Sequence, residues 1–370
     1  MRERLTLDSP IQRSLAGTGL LGALLAALAV VVALVFGPAE QQVALNFYIW
    51  VIAVVGFGIY SGNSGIMTFG HVAFMGIGAY AGALLTMAPA VKAQSVPNLI
   101  VVVQDIQLPL LPAILGALVV VGIVAFIFGF PLSRLSAAAT PIATLAMLMI
   151  VYVVLVGAAD ITRGSQTFFG VPPLTDLTVV VIFAIVAILT ARVFRESVPG
   201  LRLRASREDE LASRSMGVDV ANLRLLAWML SALVVGLAGF LLGHNLTAFS
   251  PKQFYFTLQF ALVAMLVVGG PTTVTGAVGG AFVVTLLMET ARRVEGLLAG
   301  FSLGPITIDH IFGLQEVTLG LVILAVMYRR REGLLGRLEV DEMLVRWWRG
   351  RRATVMPDRT EKPAAGTRGG

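Results

Sequence analysis

The sequence predicts an all-α integral membrane protein: a polytopic bundle of roughly eight to ten transmembrane helices with broken or re-entrant glycine-rich segments. Three observations predict it. Of 370 residues, 57% are hydrophobic and 13% charged, where soluble domains carry about 25% charged residues. Apolar runs of about 20 residues, the length that crosses a bilayer, recur along the chain. Stretches rich in glycine interrupt two of those runs.

The first run, 16–37, follows a charged start and is too long for a signal-peptide core, so it reads as a retained helix. Further spans are expected at 43–60, 66–88, 109–130, 139–158 and 177–194. After a charged interruption come 224–244, 256–270, 275–290 and 309–328. The third and ninth begin in glycine-rich sequence and are the two that read as broken or re-entrant. Ten crossings put both ends on one side. Of the 27 lysines and arginines, 22 fall in the loops and tails of that side, so it is expected to be cytoplasmic. Arg292 and Arg293 fall on the other side and fit this reading poorly. The expected organisation is a cytoplasmic segment 1–15, a transmembrane domain 16–328 with a cytoplasmic loop 195–224, and a basic cytoplasmic tail 329–370. In that tail Trp347 and Trp348, set among arginines, suit a helix at the lipid headgroups, and the last residues read as disordered.

Several chemistries are excluded or disfavoured. The chain has no cysteine, so disulfides, iron–sulfur clusters and zinc thiolates are out. No G-x-x-x-x-G-K-S/T run occurs, so ATP cannot be held by a P-loop. The three histidines, His71, His244 and His310, lie far apart, and no cofactor or metal is expected. No soluble basic domain offers a nucleic-acid surface. Acids inside the spans are few, so an ion-driven transporter would have to rely on Glu316. An intramembrane serine protease would need Ser64 and His310 to form a dyad. The chain is expected not to be an enzyme.

The stretch Gly56–Leu85, "GFGIYSGNSGIMTFGHVAFMGIGAYAGALL", holds two G-x-x-x-G pairs, Gly58/Gly62 and Gly78/Gly82, which suit close helix packing. "SGNSG" is different, because small polar residues there break an apolar run. Unwound backbone at that depth must be buried or line a cavity, and a helix restarting after Gly65 would aim its first amides into it. His71 follows. A lone histidine in a helix is more often a packing residue than a ligand, and both readings are open. The expected substrate pathway is Gly62, Ser64, Gly65, Thr68, His71, Thr144, Arg163 and Ser165.

Between two apolar runs lies "GLRLRASREDELASRSMGVDV", Gly200–Val220, with four arginines and four acids. It reads as helix–turn–helix. Ser206 is the expected N-cap, Gly217 the stop, and Asp219 the cap of the next helix. Leu211, Ala212, Ser215 and Met216 form a small, weakly apolar face suited to a partner's groove.

This stretch resembles the coupling loop of bacterial ABC-importer permeases, and more closely that of branched-chain amino acid permeases of the LivM-like type. Arg204, Arg207, Glu208, Asp209, Glu210, Ala212, Met216, Gly217 and Gly236–Gly239 carry the match, with Leu211 where the general pattern has glutamate. Gly62, Gly65, Gly70, His71, Phe74, Gly76, Gly78, Ala79 and Tyr80 are similar to a second block of that family. Gly269, Gly270, Gly276, Gly279 or Gly280, and Ala281 are similar to a third. The sequence departs from the family at "ATPIATL" with Pro141, at "TRGS" (Thr162–Ser165), and at "REGLLG", which lacks a proline. The resemblance implies a second homologous permease subunit, two cytoplasmic ABC ATPases, an external substrate-binding protein and surrounding membrane lipid as partners. It also implies a prokaryotic inner membrane, and a branched-chain amino acid or a related small polar solute as cargo. Coupling to the ATPases would fall to Arg207, Glu208, Asp209, Glu210, Leu211, Ala212, Met216 and Gly217.

Overall fold

The computed structural model describes residues 10–298, 302–303, 306–307, 313–330, 333–336 and 339. Its helices in chain order are α1 (Pro10–Val35), α2 (Pro38–Ser64), α3 (His71–Thr86), α4 (Pro89–Ser95), α5 (Val101–Gln104), α6 (Leu110–Leu132), α7 (Ala139–Gly157) and α8 (Ala159–Thr162). There follow α9 (Leu177–Glu196), α10 (Val198–Glu208), α11 (Glu210–Ser215), α12 (Val220–Leu246), α13 (Phe256–Gly269), α14 (Val274–Leu298) and α15 (Leu314–Arg329). Among the described residues strand is confined to two-residue pieces, of which β1 (Phe168–Phe169) and β2 (Ala248–Phe249) pair antiparallel. Among the described residues eight helices are long and apolar enough to cross a membrane, and α3 and α15 are shorter apolar helices.

The bundle is organised around α12, which packs on α2, α3 and α6. Small residues allow this. A Cβ on Gly78 would meet the carbonyl oxygen of Gly236, and one on Gly239 would meet that of Met75. The α3 and α12 backbones therefore touch, as small-residue interfaces permit where water cannot drive helices together. Gly82 takes the Phe240 ring in the same interface. The outward sides of α1, α6 and α7 stay apolar and exposed, as in the run Leu111, Leu115, Val119, Ile123, Phe126, which suits contact with lipid.

Three expectations need correction. The second span, expected at 43–60, runs on into "SGNSG": α2 continues to Ser64, because Asn63 and Ser64 donate back to the carbonyls of Ile59 and Tyr60 (both 2.8 Å) and so satisfy themselves within the helix. The helix stops at Gly65, whose φ of 72° is the left-handed conformation of a C-terminal stop. The third span is interrupted as expected, but α3 begins only at His71; at about 24 Å it falls short of the roughly 30 Å apolar core. The ninth is neither broken nor re-entrant. It is the continuous helix α14, whose glycines Gly276 and Gly280 lie against Gly269 and Met265 of α13. Residues 309–312, at the start of the expected tenth span, and Trp347 and Trp348 lie outside the described residues.

Replacing Gly239 by leucine should force α3 off α12 and lower the melting temperature of the purified chain, since overpacking costs about 1–3 kcal/mol or more. Gly157→Ala, whose Cβ would meet nothing within 4 Å, should leave it unchanged.

Candidate functional site

The break between α2 and α3 gathers most of the expected pathway residues. Ser64 closes α2; its hydroxyl donates to Tyr60 and accepts the Ile66 amide at 3.2 Å. Thr68 is fully buried with its hydroxyl 2.7 Å from His71 Nδ1. Thr144 of α7 accepts the Phe69 amide at 3.0 Å. His71 opens α3 and is enclosed by rings, with centroids 4.8 Å from Trp228 and 4.9 Å from Phe57. Its Nε2 has no partner among the described residues. This surrounding favours the packing reading over the ligand reading.

The first amides of α3 do not face an open cavity, contrary to expectation. The Val72 amide donates to Gln259 Oε1 at 3.0 Å, and Gln259 Nε2 reaches the Thr68 carbonyl at 3.5 Å. Gln259 belongs to α13 and is fully buried. Its side-chain amide thus stands in for a ligand at that helix end. Sequence reasoning missed it, although one glutamine inside "FTLQFALVAML" is a usable signal, since polar groups at such depth need partners.

Arg163 and Ser165 do not join this group. Thr144 lies near one end of α7 and these two lie past the other, roughly 20 Å away along the helix axis. Arg163 has φ 64°, lies 4.5 Å over the Phe169 ring and donates to the Thr167 carbonyl at 2.8 Å. It organises its own loop, which β1 ties to β2.

On the Thr144 side of the bundle α10 and α11 project as a capped pair. Ser206 is not the cap: it sits inside α10, buried, donating to Leu203 at 2.7 Å. Asp209 takes that role by accepting the Ala212 amide at 2.9 Å, as an acid placed where α11 begins should. Gly217 is the expected stop, with φ 78°, and Asp219 caps α12 through the Asn222 amide at 3.1 Å. Glu210 links the projection to the bundle through Arg224 at 2.7 Å, with Arg214 at 2.6 Å on its other side. Burial pushes the Glu210 carboxyl up, but the two arginines outweigh it and hold it below the usual range. Arg207 lies along Gly65, its guanidinium 3.5 Å from the Gly62 carbonyl, so the projection touches the end of α2. Glu208 and Ala212 are exposed, and Leu211 and Met216 are 81% and 84% exposed with apolar side chains.

Beside it, a short part of the expected solvated tail returns to the bundle. The amides of Leu334 and Leu335 donate to the carbonyls of Val268 (2.8 Å) and Gly269 (3.3 Å), covering the end of α13. Glu339 covers the start of α14: its carboxylate accepts the Val274 amide at 2.9 Å and the Thr275 amide at 3.2 Å. Arg192 and Arg195 of α9 close on it at 3.1 and 3.0 Å. Nothing in the tail's composition marks Glu339, because its partners come from two distant segments, α9 and the start of α14.

Among the described residues Ser64 makes no hydrogen bond with a histidine, and His310, the partner a protease dyad would need, lies outside them. Glu316 is exposed in the first turn of α15 rather than enclosed in the bundle.

Burial raises the Glu339 carboxyl, but Arg195 and Arg192 outweigh this and hold it below its usual value of 4.5. Its stabilisation is therefore complete above that value and disappears as pH falls through the lower folded-state value. Glu339→Gln should destabilise the purified chain by about 3 kcal/mol at neutral pH, the scale of a broken buried pair. Denaturation followed against pH should show the two chains converging on acidification.

The segment 40–327 matches the family model described as branched-chain amino acid transport system / permease component. The chain is 26% identical over 264 residues to the high-affinity branched-chain amino acid transport system permease protein LivM of Salmonella typhimurium, covering 62% of this chain and 58% of that protein. It is 25% identical over 286 residues to the protein of the same name from Escherichia coli, covering 68% and 63%. No solved structure matches it. With its polytopic helical bundle and a family match across most of its length, the chain belongs to the branched-chain amino acid transport system permease family.

Proposed function

We propose that the chain is a transmembrane permease subunit of a prokaryotic ABC importer for branched-chain amino acids or a related small polar solute. It works beside a second homologous permease, two cytoplasmic ATPases and an external binding protein, with both termini in the cytoplasm of the inner membrane. The observation that carries this reading is the α10–α11 projection. Leu211 and Met216 stand almost fully exposed on a short capped helix that is otherwise charged. Such a pair is costly to leave in water and suits a groove on a partner.

The same projection touches the bundle at two places that matter for transmission. Arg207 lies on Gly65, where α2 stops and the unwound segment begins. Glu210 ties α11 to Arg224 of α12, the central helix. A push on α11 from an ATPase would therefore act on both walls of the break. Transport would follow from the differential stability of two arrangements of those helices, set by the ATPase state. The chain itself contributes no phosphate-binding loop.

The reconstituted importer tests this. Leu211→Asp should leave insertion and folding intact, because the side chain is 81% exposed, yet should abolish ATPase attachment. Arg207→Ala should keep attachment and lower uptake per ATP hydrolysed by about tenfold, a loss of roughly 1.4 kcal/mol of coupling. Normal attachment and uptake in Leu211→Asp would overturn the docking role. The isolated wild-type chain should hydrolyse no ATP.

A further inference from the structure

A cleft of about 400 Å³ opens between α2, α13 and α14, at the end of the bundle away from the projection. Its mouth carries Lys252, Glu289, Arg292 and Gln315, and its deeper walls carry Trp50 and Met265. The volume is in the range of small-molecule sites. From Thr257 to Met265 the wall follows α13 for about 12 Å.

The charges at the mouth are unequally engaged. Glu289 receives two hydrogen bonds from Arg292 (2.8 Å each) and one from Arg293 (2.7 Å). A carboxylate has about four acceptor sites, so one remains on Oε2. Lys252 is exposed and has no ion-pair partner among the described residues. The mouth therefore offers one free cation and one free acceptor above an apolar floor. That pattern complements a solute with adjacent carboxylate and ammonium groups and a short apolar side chain.

A lipid tail fits less well. Half the apolar core of a bilayer is about 15 Å deep, more than this wall provides. The wall also contains Thr285, whose buried hydroxyl has no partner among the described residues. Such a group is costly against hydrocarbon and is readily satisfied by water in a solute-filled cleft.

We infer that this cleft is the first site at which the permease receives its solute, an apolar amino acid in zwitterionic form. Lys252 holds the carboxylate, Glu289 accepts from the ammonium, and the side chain lies between Trp50 and Met265. The inference rests on the permease reading above and assigns that reading a receiving site.

The chain has four tryptophans, and Trp50 lines the cleft. The full chain, labelled with 5-fluorotryptophan and held in lipid nanodiscs, reports occupancy through the Trp50 fluorine resonance, identified by its loss in Trp50→Phe. Leucine should shift that resonance saturably. Leucinamide, which lacks the carboxylate, and 4-methyl-2-oxopentanoate, which lacks the ammonium, should each bind about tenfold more weakly. Lys252→Gln should weaken leucine by about the same factor and leave leucinamide unchanged. The inference is overturned if leucine leaves the resonance unmoved, if leucine and leucinamide shift it alike, or if only a change of phospholipid shifts it. Leucine uptake by the assembled importer, measured in parallel, separates the two readings. Uptake with an unmoved resonance removes this site and leaves the permease; loss of both uptake and shift removes both.

Discussion

Backbone amides and carbonyls inside a bilayer must find partners within the protein, because hydrocarbon offers none. Much of this molecule follows from how it meets that demand where helices stop. Gly65–Gly70 leaves the helical hydrogen-bond ladder within the bundle. Its amides and those of the next turn are taken by Thr144 of α7 and Gln259 of α13. Two helices distant in sequence are thereby fixed to one short unwound segment. At the α13–α14 turn the same demand is met from farther away, by the amides of Leu334 and Leu335 and the carboxylate of Glu339.

These closures put the mechanical parts in contact. The unwound segment adjoins Arg207 of the projection, and α12, which receives Glu210 through Arg224, is the helix against which α3 packs backbone to backbone. The α3 and α12 backbones come into direct contact at Gly78 and Gly239, with rings packed between the helices on either side. Packed interfaces of this kind move between discrete arrangements rather than deforming continuously. That property suits the transmission proposed above, from the projection to the break.

The two ends of the bundle are built differently. At the projection end arginines and acids are paired and hold helices to one another, as Arg192 and Arg195 do around Glu339. At the other end Lys252 has no ion-pair partner among the described residues and lies beside an apolar cleft, and Arg163 holds its own loop. At the cleft end Glu289 is likewise paired with Arg292 and Arg293, so what distinguishes that end is the exposed lysine beside the cleft, which fits the receiving site proposed above.

The sequence by itself determined the class of fold, the helices and much of the local grammar. Long apolar runs can only be buried or lipid-facing, Gly217 and Asp219 mark a stop and a start through local geometry, and both were legible without neighbours. It also separated the charged projection from the spans and, through the order of its motifs, pointed to the family. What only the tertiary structure decided is where α2 ends, what closes α3, and which charges are spoken for. Asn63 and Ser64 look like breakers in sequence but bond back into their own helix. Ser206 looks like a cap but lies inside α10, where Asp209 displaces it. Gln259, Glu339 and the pairing of Glu289 depend on partners brought close by folding, and no local pattern encodes such distances. The tertiary fold likewise parted Thr144 from Arg163, because a helix about 28 Å long carries its two ends to opposite sides of the bundle.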